Sequence, residues 1–249
     1  MSFLQTFRPW ERRSQFDPWL AGLCLLILGL HAGIQLLEGG DIHAIYLTFG
    51  LSLEGLEKSN WWQLITYAFL HGPWWHVLLN VLALWMLGNQ IVWIVGPRMV
   101  LSLLLSGVLT GGLFTVLIDF LGTQRVILVG ISGGLCALIA FLATVSPEAR
   151  FRPLPLRGRN ALLGFFAVSL AGVLIDPSLG VPLLSSLGEG LLTLGLGDFF
   201  TFGHACHLGG LLAGLLTGLY TMRQRVTLAT LQRQRLAKEK RELQKKALH

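Results

Sequence analysis

The sequence predicts an all-α, polytopic membrane protein built as a six-transmembrane-helix bundle. Of its 249 residues, 53% are hydrophobic and only 13% are charged, whereas an ordinary soluble domain carries roughly 25% charged residues. Mean hydropathy is +0.64. Five apolar stretches approach the ~20 residues that a helix needs to cross a bilayer. A sixth is shorter and can cross where the bilayer is locally thin.

The predicted spans follow one another along most of the chain, and none of them contains Asp, Glu, Lys or Arg. They cover residues 19–37, 74–95, 99–117, 126–145, 161–175 and 201–222. We therefore expect a cytoplasmic segment over residues 1–16, one membrane domain over 17–222 and a basic cytoplasmic tail over 223–249. The glycine-rich, apolar connection at 176–200 is predicted to lie at the interface, over the outer mouth of the bundle.

Charge placement predicts the topology. All of the 19 Lys and Arg residues except Lys58 and Arg125 lie in the N-terminal segment, the turn after the second span, the connection after the fourth span, or the tail. By the positive-inside rule both termini are cytoplasmic, and the connections at 38–73, 118–125 and 176–200 face outward. The net charge of +6 therefore reports topology and contact of the tail with anionic lipid, and no nucleic-acid partner is expected.

Four polar side chains within the spans are the candidate functional residues. Ser132 lies in the fourth span and His207 in the sixth, and a serine beside a histidine is the minimum for an activated nucleophile. His76 and Asn80 are four residues apart in the second span and so share one helix face. Asn80, Ser132 and His207 each lie six residues from the start of a predicted span, which places all three ~9 Å below the outer surface.

The chemistry available to this group is limited by the absence of carboxylates from the predicted spans. A Ser-His-Asp triad is excluded, so serine chemistry would run on a Ser132–His207 dyad whose histidine is oriented by packing. His76, Asn80 and the backbone N–H of Ser132 are candidate donors to an oxyanion. Small residues would let the fourth and sixth spans approach closely: Gly130 and Gly134 on the fourth, with Gly209, Gly210, Ala213 and Gly214 on the sixth.

Three motifs resemble those of the rhomboid family of intramembrane serine proteases. They are H-x-x-x-x-H-x-x-x-N over residues 71–80, G-x-S-G over 130–133 and C-H-x-x-G over 206–210. Their order and the six-span plan match the family over roughly residues 17–222. The resemblance implies a serine endopeptidase that needs no cofactor or metal. It also implies that the enzyme cleaves single-span membrane proteins near the outer end of their helix, at small residues in an unstable stretch.

The same resemblance implies a role for each motif residue. Ser132 would be the nucleophile and His207 the general base, while His76 and Asn80 would line the oxyanion site. Close helix packing at the site would depend on glycines: Gly130, Gly133 and Gly210. We expect a multi-pass protein of a bacterial inner membrane.

Three positions depart from the family pattern. Family members often have Trp-Arg in the first outer connection, where this chain has Trp62 and Gln63. Many bacterial members have a tyrosine four residues after the nucleophile, packing on the histidine, where this chain has Cys136. An acidic residue is common near the end of the second span, where Ile91 and Val92 stand. The second departure leaves open how the catalytic imidazole would be supported.

Two other interpretations of the residues remain. A metal site or transporter could use histidines: His71, His76, His204 and His207. Alternatively, the chain could be a catalytically weak or inactive rhomboid-like protein that binds membrane helices, although such relatives usually lack the serine or the histidine.

Overall fold

The computed structural model describes residues 17–37, 40–123, 125–151 and 156–223, and nearly all of its regular structure is helical. The helices, in chain order, are α1 (Pro18–Gln35), α2 (Gly40–Phe49), α3 (Leu53–Glu57), α4 (Gln63–Thr66), α5 (Trp74–Val95), α6 (Pro97–Leu121), α7 (Ser132–Val145), α8 (Gly158–Leu174), α9 (Leu184–Thr193) and α10 (His204–Arg223). Short 3-10 turns occur at Tyr67–Phe69, Pro177–Leu179 and Gly197–Phe202. The predicted all-α class is confirmed, with one small antiparallel pair, β1 (Arg150–Phe151) and β2 (Leu156–Arg157), as an addition.

Four of the described helices are long and apolar enough to cross a membrane: α1, α5, α6 and α10. α7 and α8 are also apolar but shorter, so the number of crossings stays a prediction. The leucines and aromatic side chains left exposed along the long helices are consistent with a lipid-facing surface, because a bilayer offers such side chains the apolar surroundings that water does not. The chain is therefore a multi-pass membrane protein.

The first turn of α1 is fixed to α5 by a hydrogen bond and by close packing. Asp17 caps α1 by accepting from the Trp19 N–H at 3.2 Å, and its own backbone N–H donates to Asn89 Oδ1 at 3.1 Å. Leu20 is fully buried against Gly88, where an added Cβ would lie 2.9 Å from a Leu20 methyl carbon. A glycine at this point lets the two helices approach closely.

The connection between α1 and α5 is organised by one buried amide. The Gln63 side chain accepts from the Ser52 N–H at 3.2 Å and donates to the carbonyls of Leu47 at 2.9 Å and Thr48 at 3.2 Å. Because all three partners are backbone groups, Gln63 joins α2, α3 and α4 into one unit. Gln63, one of the positions that depart from the expected pattern, thus has a clear structural role here.

α7 lies at the centre of the bundle, and every residue from Gly133 to Ala143 is buried. On the α6 side, a Cβ at Gly107 would lie 2.6 Å from both Gly133 O and the Ala137 Cβ. On the α10 side, Gly210 and Gly214 pack directly against the backbone of Gly133 and Ala137. The predicted close approach of the fourth and sixth spans is therefore confirmed.

Some predicted boundaries are wrong. The fourth span does not begin at residue 126, because residues 125–131 are not helical and α7 starts at Ser132. Gly130 consequently shares no helix face with Gly134. The third span extends past residue 117 to Leu121 and so includes a buried carboxylate, Asp119. The predicted N-terminal segment (1–16) and the tail beyond residue 223 lie outside the described residues.

Candidate active site

Ser132 and His207 are in hydrogen-bond contact. The distance from His207 Nε2 to Ser132 Oγ is 3.0 Å, although 75 residues separate the two in the chain. Ser132 is the first residue of α7, and His207 lies in the first turn of α10, where its backbone N–H donates to Gly203 O at 3.1 Å. The arrangement provides a hydroxyl with a base in position to accept its proton.

Glycine contacts bring the two helices to this distance. A Cβ at Gly133 would lie 2.8 Å from Cys206 Sγ, and a Cβ at Gly210 would lie 2.8 Å from the carbonyl carbon of Gly133 and closer still to its oxygen. Gly133 directly follows Ser132, and Cys206 directly precedes His207. The small residues therefore act where backbone separation determines the Ser–His distance.

Ser132 and His207 lie closer to the starts of their helices than the sequence predicted, even though the two residues do meet. Asn80 lies six residues after the start of α5, as predicted, but Ser132 opens α7 and His207 is the fourth residue of α10. Ser132 reaches His207 because the preceding segment is extended. That segment forms an isolated antiparallel bridge between Leu128 and Leu51.

His76 and Asn80 lie on the other side of the segment that leads into Ser132. Gly130 has φ +110°, and a Cβ there would lie 2.9 Å from His76 Cε1 and Nε2 and 3.3 Å from Asn80 Nδ2. A residue with a side chain would be strained in this conformation and would also clash with the imidazole. Gly130 thus allows the chain to pass over His76, a different role from the helix packing that the resemblance implied for it.

Asn80 has the properties expected of a donor held ready for a ligand. It is 6% exposed, and its Nδ2 has no hydrogen-bond partner among the described residues. A buried N–H without a partner costs free energy, and such groups recur at functional sites because a bound species satisfies them. The amide is close to Gly130, two residues before the serine.

The surroundings of His207 differ from the expected aromatic support. Cys136 is buried beside Ala140 and Leu211, on the α10 side of α7, and its Cβ would lie 3.1 Å from a Cβ at Gly210. The His204 ring lies edge-to-face with the ring of His207, with the two ring centroids 6.4 Å apart. His204 in turn packs tightly against Gly172 of α8, so α8 contributes to the surroundings of the histidine pair.

Tyr67 is a neighbour of the site that the sequence did not identify. It is fully buried, its hydroxyl donates to Val108 O at 2.6 Å, and the same oxygen lies 3.7 Å from Cys206 Sγ. Its carbonyl accepts from the Gly130 N–H at 2.9 Å. Through its hydroxyl and its backbone carbonyl, Tyr67 thus links α6, the residue before His207 and the segment before Ser132. Gly107 and Gly111 on α6 were also missed, although their small-x-x-x-small spacing was visible.

The histidines proposed for a metal site do not form one in the described part of the chain. The ring centroids of His71 and His76 are 5.1 Å apart and those of His204 and His207 6.4 Å apart, and no group of three or more His, Cys, Asp or Glu has a metal-binding arrangement. His71 lies before α5 and is fully buried. Burial, and then the nearby His76, lower the pKa of His71 from 6.5 to about 3.

The chain belongs to the rhomboid family, because the Rhomboid domain matches residues 58–224. That region contains the extended segment before Ser132, the Ser132–His207 pair, and the neighbouring side chains of His76 and Asn80. Among curated proteins, the chain is similar to Rhomboid protein 1, mitochondrial, of Saccharomyces cerevisiae, with 26% identity over 164 residues. The match covers 64% of this chain but only 41% of the yeast protein. Membership supports an intramembrane protease or a rhomboid-like function.

Proposed function

We propose that this protein is an intramembrane serine endopeptidase that uses Ser132 as nucleophile and His207 as general base. The observation that carries the proposal is the 3.0 Å separation of His207 Nε2 and Ser132 Oγ. It lies within the 2.6–3.2 Å reach typical of a nucleophile and its base. The position of this pair inside a Rhomboid domain match supports the same reaction class.

In the proposed reaction, His207 Nε2 takes the proton from Ser132 Oγ as the oxygen attacks the scissile carbonyl carbon. The carbonyl oxygen then becomes an oxyanion, to which Asn80 Nδ2, His76 and the backbone N–H of Ser132 are the candidate donors. Transfer of the proton from His207 to the leaving nitrogen breaks the peptide bond and leaves an acyl-enzyme. A water molecule, deprotonated by His207, releases the acyl group and restores the serine.

The proposed substrates are membrane proteins with a single transmembrane helix. A peptide bond can reach Ser132 only if the substrate backbone leaves its helix, because helical carbonyls are packed and hydrogen-bonded within the segment. A stretch with small or helix-breaking residues would therefore be cut most readily. From the charge distribution, we propose that both termini are cytoplasmic and that the bond cleaved lies near the opposite surface.

The experiment that tests the proposal compares wild type with Ser132→Ala, His207→Ala and a control, Ser102→Ala, at an exposed serine of α6. Each is reconstituted in liposomes with a single-span reporter and is also treated with a fluorophosphonate probe. We expect wild type and Ser102→Ala to be labelled and to cleave, and both other variants to lose cleavage and labelling. Cleavage by Ser132→Ala at the wild-type rate would refute the proposal. Reporter binding by wild type without labelling or cleavage would favour the non-catalytic alternative.

A further inference from the structure

The connection from α8 to α10 contains a short helix, α9, whose apolar side chains are largely uncovered. Leucines in and just after this helix are well exposed: Leu187 is 57% exposed, Leu192 44%, Leu194 74% and Leu196 51%. Contiguous exposed apolar surface of this kind marks an interaction site. Nothing in the proposed protease reaction uses these residues.

The sequence of α9 separates apolar and polar side chains onto opposite faces. At 100° per residue, Leu184, Leu187 and Leu191 share one face. On this face Leu187 is exposed and the other two leucines are partly exposed. The opposite face carries Ser186, Glu189 and Thr193, all of them exposed. Glu189 is the one charged residue of the helix. An amphipathic helix with few charges is suited to a boundary between water and an apolar phase.

One edge of the apolar face is fixed to the end of α8. Gly188 is buried against the Ile175 carbonyl and Pro177, where an added Cβ would lie 2.9 Å from Pro177 Cδ. The Pro177–Leu179 turn is in turn joined to the end of α6, because the Thr123 N–H donates to Ser178 O at 3.1 Å. α9 is thus held at the level where α6 and α8 end.

α8, to which α9 is fixed, carries exposed apolar side chains of its own. On α8, Phe166 is 48% exposed, Val168 54% and Leu174 40%, and Leu174 directly precedes the Ile175 that contacts α9. With ten residues, α9 is ~15 Å long, which is about half of the ~30 Å needed to cross the hydrocarbon core. Because α9 is too short to cross, an orientation along the membrane surface suits it best.

We propose that α9 inserts its leucine face into the leaflet at which α8 ends, with Ser186, Glu189 and Thr193 facing water. The exposed leucines then contact lipid at the boundary between head groups and acyl chains. Because α9 carries no Lys or Arg, insertion does not require anionic lipid. The proposal goes beyond the protease function and does not depend on it.

The test uses the whole protein in phosphatidylcholine nanodiscs, with a polarity-sensitive NBD dye on an introduced cysteine. The three native cysteines are buried, so wild type is expected to remain unlabelled. The test variants are Leu187→Cys and Leu194→Cys. The matched control on the polar face is Ser186→Cys. Leu25→Cys, at an exposed position of α1, serves as the lipid-facing reference. Lipids with a nitroxide near the head of the acyl chain act as the quencher.

We expect NBD at positions 187 and 194 to emit at shorter wavelength and to be quenched by the lipid nitroxide at least about twice as strongly as NBD at position 186. The result should be unchanged in the Ser132→Ala background, which separates it from any failure of the protease proposal. Equal quenching at 186 and 187, with equal access to aqueous iodide, would overturn the proposal. If NBD at position 187 is protected from iodide only when two copies of the protein share a nanodisc, the proposal is also overturned, in favour of a protein–protein contact.

Discussion

Replacing Gly210 by alanine tests whether backbone proximity of α7 and α10 creates the reactive pair. The new Cβ would lie 2.8 Å from the carbonyl carbon of Gly133, whereas carbon atoms in favourable contact are about 3.5 Å apart. The obstacle is backbone in a fully buried helix, so no side-chain rotation can relieve it. The helices must therefore separate by at least ~0.7 Å.

That displacement is large compared with the tolerance of the Ser–His contact. Added to the observed 3.0 Å between His207 Nε2 and Ser132 Oγ, it lengthens the distance to ~3.7 Å, which is no longer a hydrogen bond. A misplacement of this size at a catalytic group costs about 10²-fold in rate. Overpacking of the helix contact should also destabilise the fold by about 1–3 kcal/mol.

The assay is cleavage of a single-span reporter in liposomes, together with the rate of fluorophosphonate labelling. Gly164→Ala on α8 is the matched control, because a Cβ there meets nothing within 4 Å. We expect the control to retain wild-type rates, since alanine in place of an unconstrained helical glycine is neutral or slightly stabilising. Gly210→Ala should lose about 10²-fold in both readouts while still inserting into the membrane. If Gly210→Ala cleaves within twofold of the control, glycine packing does not set the Ser–His distance.

Three further predictions follow from neighbouring groups. Asn80→Ala should lower the cleavage rate by about 10²–10³-fold with little change in reporter affinity, because it removes a candidate oxyanion donor; an unchanged rate would exclude that role. Gln63→Ala should lower the thermal unfolding temperature in detergent, since each buried backbone group left unpaired costs about 1–3 kcal/mol, whereas an exposed glutamine variant in the same assay would not. His71, with its pKa lowered to about 3 in the fold from 6.5, takes up protons more readily when unfolded. Above pH 6.5 the imidazole is neutral in both states, so its titration does not lower the free energy of unfolding. Below pH 6.5 the free energy of unfolding declines by up to about 1.4 kcal/mol per pH unit. Unfolding free energies between pH 7.5 and 5 should fall less steeply for His71→Asn than for wild type. Identical slopes for the two proteins would contradict the lowered pKa of His71 in the fold.

Hydropathy located the long helices well because length and apolar composition are strongly constrained in a bilayer. It misplaced the start of α7, since residues 126–131 are as apolar as the helix that follows. Hydrophobic content alone does not distinguish a short extended segment from a helix. The local signals were the β-branched residues Val126, Ile127 and Val129, followed by Gly130, whose positive φ ends the extended run.

The candidate site was predictable at the level of residues but not of geometry. Ser132, His207 and Asn80 stood out because polar groups in apolar spans need partners. The contributions of Gln63 and Tyr67 were not visible, because each depends on backbone groups distant in sequence. Gln63 can be recognised as structural only when its three backbone partners are seen.

The placement of Ser132 and His207 on different helices has a consequence for the timing of synthesis. Ser132 opens α7, a 14-residue helix that is buried among its neighbours. Its partner His207 lies on the last described helix, which leaves the ribosome after all the others. A nascent chain that ends before α10 therefore carries Ser132 without its proposed base. We expect the proposed nucleophile to stay inert until α10 has been synthesised and packed against α7.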